Sequence, residues 1–218
     1  MKFSFKNDYS EGCHPKILEA LSQYNLDQQN GYGLDIYSEN VANIIREKSK
    51  SPQSRVHLVS GGTQANLIVI SSILRPHESV VSANTGHIFT NETGAIEATG
   101  HKVHGVETKD GKLRPEDIQN VLDVHTNVPH QVKQKLVYIS NSTEVGTIYT
   151  KKELENLSEF CKKKNLYLFM DGARLGHALT AKSNDVTWED VAKLTDVYYL
   201  GGTKNGALIG EAIVINNK

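Results

Sequence analysis

Short runs rich in β-branched and aromatic residues recur along this chain, and between them apolar positions fall three and four apart. The apolar runs are VHLVS starting at Val56, SVVSA (79–83), KLVYIS (135–140), LYLFMD (166–171), DVYYL (196–200) and EAIVI (211–215). Each is short enough for a strand. The helical patterns are TQANLIVISSIL (63–74), PEDIQNVLDVH (115–125) and TKKELENLSEFCKKK (150–164), the last with Leu154, Leu157 and Cys161 on one face and a Thr150–Glu153 capping box at its start. Strands alternating with helices predict an α/β protein. Its sheet is mostly parallel and covered by helices on both faces, because parallel neighbours need crossover connections. HTNVPHQVKQ (125–134) reads as a surface loop.

Bulk composition narrows the picture mainly by exclusion. With 218 residues, 38% hydrophobic and 22% charged, one large domain is the default. The 24 Lys+Arg against 25 Asp+Glu leave a net charge of -1, which provides no field for nucleic acid or an anionic membrane. Cys13 and Cys161 lie far apart without a CxxC spacing, which argues against a disulfide framework or a metal site and fits a reducing cytoplasm. MKFSFKNDYSEG lacks a long apolar core, and no run approaches a membrane span, so a cytoplasmic chain without a leader is expected.

Three strand ends carry candidate chemistry. In VSGGTQAN a strand runs into Gly61 and Gly62 and then a helix, an arrangement that lets backbone N–H groups hold a phosphate, or that simply makes a tight turn. In LFMDGARLGHAL, Asp171 closes a strand at the edge where open α/β sheets bind ligands, either as a functional carboxylate or as a cap for the next helix. In YYLGGTKNGALIG, Lys204 stands in an apolar stretch that would favour its neutral, nucleophilic form and a Schiff base; the alternative is a solvated loop lysine. A phosphate cradle, a carboxylate and an amine at one sheet edge are what pyridoxal phosphate requires. His87, after the second run, adds a neutral imidazole able to stack on a ring and exchange protons.

Taken in order, FKNDYSEGCHPKILEAL, GYGLDIYSENV, VSGGTQAN, GHIFTNETGA, ISNSTEVGTIYTKKEL, MDGARLGHAL and GGTKNGALIGEA resemble the low-specificity L-threonine aldolases, of the β-eliminating lyase group, across nearly the whole chain. The resemblance implies the fold type I architecture with its seven-stranded sheet and pyridoxal 5'-phosphate as cofactor. It makes Lys204 the cofactor-bonding lysine, Asp171 the partner of the ring nitrogen and His87 the stacking group. Gly62 and Thr63 would hold the phosphate, with Thr203 adding a hydroxyl or serving only the turn. Arg174 would take the substrate carboxylate, and Glu92 would support His87. Tyr32, Gly33 and Asp35 resemble a loop that reaches toward a neighbouring subunit.

The implied reaction is retro-aldol cleavage of threonine, allo-threonine or a related β-hydroxy-α-amino acid to glycine and an aldehyde, without metal, in a homodimer or homotetramer. Two departures stand out. Glu144 occupies the place where other members carry a histidine, making it a candidate base. Members of the family also continue into a smaller C-terminal domain, so residues 1–218 are expected to be the cofactor-binding domain alone. Another fold type I lyase, or a noncatalytic cofactor-domain fragment, are the rival readings.

Overall fold

A computed structural model describes residues 4–216; the first three residues of MKFSFKNDYSEG and the last two of EAIVINNK lie outside this range. Its elements run α1 (Pro15–Tyr24), α2 (Ile36–Lys48), β1 (Arg55–Val59), α3 (Gly62–Ile73), β2 (Glu78–Ala83), α4 (His87–Thr90) and α5 (Ala95–Ala98). They continue with β3 (Lys102–Val106), α6 (Pro115–Val124), β4 (Lys133–Ser140), α7 (Lys151–Lys164), β5 (Tyr167–Asp171), α8 (Leu175–Thr180), α9 (Trp188–Leu194), β6 (Val197–Gly201) and β7 (Glu211–Ile215).

The strands form one seven-stranded sheet in the order β1-β7-β6-β5-β4-β2-β3. All pairings are parallel except those of β7, which runs against both β1 and β6. That reversal matters for the site. It brings Glu211, the first residue of β7, opposite Val59 and Gly201, the last residues of its neighbours.

The apolar strands read as continuous because both faces are buried. Along β4, Leu136 and Tyr138 enter one core layer while Val137 and Ile139 enter the other. In β5, Phe169 faces the first layer and Leu168 and Met170 face the second. The first layer is closed by α3, α4 and α5 through Ala65, Val69, Ile70, Ile88 and Ile96. The second is closed largely by α7, whose Leu154, Leu157 and Cys161 share the buried stripe. Each fully buried Leu, Ile or Phe contributes roughly 1.5–3 kcal/mol relative to exposure.

The Thr150–Glu153 capping box forms as expected, and Asn165, at φ 56, ends α7 in the left-handed conformation. Two expectations need correction. KVHGV, missed as a strand, is β3, an edge strand on which only His104 is buried, so no apolar run marks it. The predicted loop 125–134 gives its last two residues to β4, and the helices α1, α2 and α9 went unread. α1 buries none of its residues, so tertiary burial does not sharpen its pattern.

Candidate active site

The ends of six strands and the segment before α1, through Tyr9, meet at the carboxyl edge of the sheet around a cavity of about 470 Å³. Its walls include Gly62 and Thr63 after β1, His87 after β2, Glu144 after β4, and Asp171 and Arg174 at the end of β5. Thr203 and Lys204 after β6 and Glu211 from β7 complete them. The structure thus brings together all the candidate residues except Glu92, which lies just behind His87. Tyr32, Gly33 and Asp35 line a different groove, against α2 and β1.

The turn bearing Lys204 is built by close backbone approach. A Cβ on Gly201 would lie 2.3 Å from the Ala173 carbonyl oxygen, and one on Gly202 2.5 Å from that of Gly210, so these positions tolerate only glycine. Gly202 N–H donates to both Gly210 O and Glu211 Oε2 at 3.0 Å, and Asn205 Nδ2 donates to Gly201 O at 2.9 Å. Lys204 is half-buried, and its ammonium lies 5.5 Å from the centre of the Tyr9 ring. Its setting is mixed: Leu208, Ile209, Tyr9 and Tyr199 line the same cavity as the amine, together with the carboxylates of Glu144, Asp171 and Glu211.

Asp171 is buried at the end of β5. Its Oδ1 accepts the Ala173 N–H at 2.9 Å, a local turn contact, whereas Oδ2 accepts the Tyr138 hydroxyl at 2.5 Å and the Asn66 amide at 3.4 Å. Both the functional and the capping readings of Asp171 therefore have a basis. Burial, followed by the charge of Asp171, pushes the Tyr138 hydroxyl far above the ordinary tyrosine range, so it stays a donor.

His87 Nδ1 lies 2.8 Å from Glu92 Oε1. An ionised carboxylate can only accept, so Nδ1 carries the hydrogen and Nε2 is the atom that takes up a proton. The bond to Glu92 raises the His87 pKa above 6.5, outweighing the opposing effect of burial. The pairing therefore makes Nε2 a stronger proton acceptor than that of an unpaired imidazole. Because the folded value is raised, the stability from this pair is full below 6.5 and is lost as pH rises through the folded value. NMR titration of the His87 ring should give a midpoint above 6.5 that falls in Glu92→Gln; an unchanged midpoint would show that Glu92 does not control this ring.

Glu144 Oε1 accepts the His87 backbone N–H at 2.9 Å and the Ser140 hydroxyl at 2.7 Å. Burial raises its pKa against the lowering effect of these bonds, and burial likewise raises that of Glu211. Arg174 reaches the cavity, but its fork is held by Asp8: Nε donates to Oδ2 at 2.5 Å and Nη2 to Oδ1 at 3.0 Å.

The N-terminus of α3 is open to a ligand. Its N-cap, Gly61, offers no side-chain hydrogen bond, and Ser60, Gly61, Gly62 and Thr63 all face the cavity. First-turn N–H groups without a cap form a ready anion site. An uncapped helix start, a buried carboxylate and a primary amine around one cavity fit a phosphorylated pyridine aldehyde.

Residues 8–218 match the beta-eliminating lyase family. The chain belongs to that family. Among its curated relatives, the low specificity L-threonine aldolase of Pseudomonas aeruginosa is 32% identical over 98% of this chain and 62% of that protein. The corresponding aldolase of Pseudomonas sp. is 33% identical over the same shares. The solved Leishmania major threonine aldolase superposes with a TM-score of 0.97 at 53% identity, covering 99% of this chain and 63% of that one. The chain therefore spans about three-fifths of the length of these relatives. A Thermus thermophilus aspartate aminotransferase shares the fold, at a TM-score of 0.74 and 19% identity over 95% of this chain and 55% of that one. The fold is thus that of the type I pyridoxal phosphate enzymes, and the cavity fits that cofactor.

Several residues in the cavity wall or bonded to it carried no sequence signal. Tyr199 in the wall and Tyr138, which bonds Asp171, sit inside apolar strands and read as core, while Tyr9 in the wall and Asp8, which bonds Arg174, lie far from the other motifs. Asn66 and Glu211 were visible as a polar residue inside an apolar helix and a charge opening an apolar strand.

Proposed function

We propose that this chain carries the cofactor site of a lyase that cleaves the Cα–Cβ bond of a β-hydroxy-α-amino acid, such as threonine or allo-threonine, to glycine and an aldehyde. The single observation behind this reading is the convergence of Lys204, Asp171, His87 and the uncapped start of α3 on one cavity. Pyridoxal phosphate supplies the electron sink for such a cleavage when bound. Lys204 would bond its aldehyde, Asp171 would pair with its ring nitrogen, and the N–H groups of Gly62 and Thr63 would hold its phosphate.

The remaining work falls to side chains of this chain. Removing the β-hydroxyl proton needs an acceptor whose pKa lies near the working pH. His87 at Nε2 and the Glu144 carboxylate are both shifted upward toward that range, and both line the cavity. We assign the proton to His87 Nε2, with Glu144 fixing the backbone of His87 from beneath. The described residues include no group of three or more metal-ligating side chains and no helix long and apolar enough to cross a membrane.

Self-association belongs to the same reading. Leu18, Leu21, Leu34, Ile36 and Ile44 are exposed along α1, α2 and the segment between them, more apolar surface than a solitary subunit commonly shows. Adding pyridoxal phosphate to the purified chain should produce the absorbance of lysine-bonded cofactor, and adding threonine should release glycine. Light scattering on the same sample reports the oligomer. Release of pyruvate and ammonia from a β-substituted amino acid, with none of glycine from threonine, would replace the aldolase reading with a different lyase.

A further inference from the structure

Asp8 comes from the extended segment before α1, 166 residues away from Arg174 in sequence. Its two oxygens face two N–H groups along one side of the guanidinium, Nε at 2.5 Å and Nη2 at 3.0 Å. This paired arrangement is the one a free carboxylate adopts on arginine. The contact stands at the mouth of the cavity, since Arg174 and Tyr9 both line it and the Tyr9 ring lies 5.5 Å from the Lys204 amine.

The segment is built like a strap. Its far end is fastened beside the Lys204 turn, where His14 N–H donates to Gly206 O at 3.0 Å. Its near end is loose, with Phe5 at 98% exposure. Among the described residues, the side-chain hydrogen bonds to Lys6, Tyr9 and Ser10 stay within the segment, on Ser4 and Asn7. The middle of the strap is therefore held to the body by Asp8 on Arg174 and by Tyr9 beside Lys204. Burial disfavours the Asp8 charge, but the hydrogen bonds and charge of Arg174, and then the charge of Lys204, outweigh it and hold its pKa below the usual value. Asp8 remains an anion at neutral pH.

We propose that Asp8 is a resident competitor for the carboxylate of an incoming amino acid: it fills the fork of Arg174 until that carboxylate displaces it and the strap lifts. This rests on the reading of Arg174 as the substrate-carboxylate residue. It adds a selection rule, because a ligand without a carboxylate, such as an amino alcohol, cannot displace Asp8 and leaves the mouth covered.

The test needs no cofactor and no turnover. Acetate is titrated into the purified chain while the Arg174 Nε–H signal is followed by NMR. Asp8→Asn should bind acetate roughly five- to tenfold more tightly than the unaltered chain, the size expected for removing a charged, doubly bonded rival. Asp8→Ser should do the same, Asp8→Glu should restore the competition, and Arg174→Lys should lose most of the acetate binding. Equal or weaker acetate binding in both Asp8→Asn and Asp8→Ser would overturn the proposal, as would undiminished binding in Arg174→Lys. Failure of the chain to take up pyridoxal phosphate would sink the proposed function and leave this titration standing; a failed titration in a chain that loads cofactor would sink only the competitor.

Discussion

Lys204→Ala is expected to give a folded chain that no longer shows the absorbance of lysine-bonded pyridoxal phosphate and has lost at least about 10³-fold in glycine release from threonine. The fold should survive because the turn is held by other groups. Gly202 N–H bonds Gly210 O and Glu211, Asn205 Nδ2 bonds Gly201 O and Ala173 O, and the half-buried amine closes none of these contacts. Such a substitution should change stability by no more than about 0.5 kcal/mol. The activity loss would follow from losing the covalent attachment of the cofactor that the proposed function gives to Lys204. Absorbance and denaturant unfolding on one preparation separate it from misfolding. Retention of the bonded-cofactor absorbance in Lys204→Ala would mean that another amine does this work.

The second large effect belongs to Asp171→Asn. Three donors converge on this carboxylate, from Tyr138, Asn66 and Ala173. An amide can accept with one end only, so its NH2 must confront at least one of these donors, at a cost of about 1–3 kcal/mol. For a chain of this size that corresponds to a fall in Tm of roughly 2–12 °C. Catalysis should fall further, because the fixed negative charge proposed to partner the cofactor ring nitrogen would be gone. Removing one preorganised electrostatic partner costs on the order of 10²–10³-fold. Cofactor uptake, thermal unfolding and glycine release measured together decide the case: a variant that unfolds at lower temperature yet releases glycine at the original rate would reduce Asp171 to a structural role.

Much of the sheet was legible because burial on both faces leaves a plain trace. KLVYIS and LYLFMD are apolar at successive positions, which is how a strand between two core layers must read. β3 left no such trace, since an edge strand with exposed Lys102 and Gly105 needs no apolar run. Helices with strong local signals, such as α7 with its capping box, were found close to their observed limits. α1 was not, although Ile17, Leu18 and Leu21 fall on one face behind Pro15 at the helix start; it buries none of its residues.

The site divides along the same line. His87, Asp171, Arg174 and Lys204 each follow a strand, and a parallel sheet sends such residues to one edge, so their meeting could be expected from order alone. Their electrical surroundings could not. The apolar letters around Lys204 suggested a masked amine; the fold gives it a mixed cavity in which Leu208, Ile209, Tyr9 and Tyr199 stand beside the carboxylates of Glu144, Asp171 and Glu211. The letters near His87 did not disclose its partner, the Glu92 carboxylate, which raises the pKa of the ring.

By itself, then, the sequence determined the α/β alternation, the strand ends that carry the chemistry, and the resemblance that names the family, because each depends on local order and spacing. Only the tertiary structure decided which charges face one another. Asp8 reaches Arg174 across 166 positions, and Glu211 reaches Gly202 because β7 runs backwards; electrostatic pairing depends on distance in space, which no local pattern of residues records.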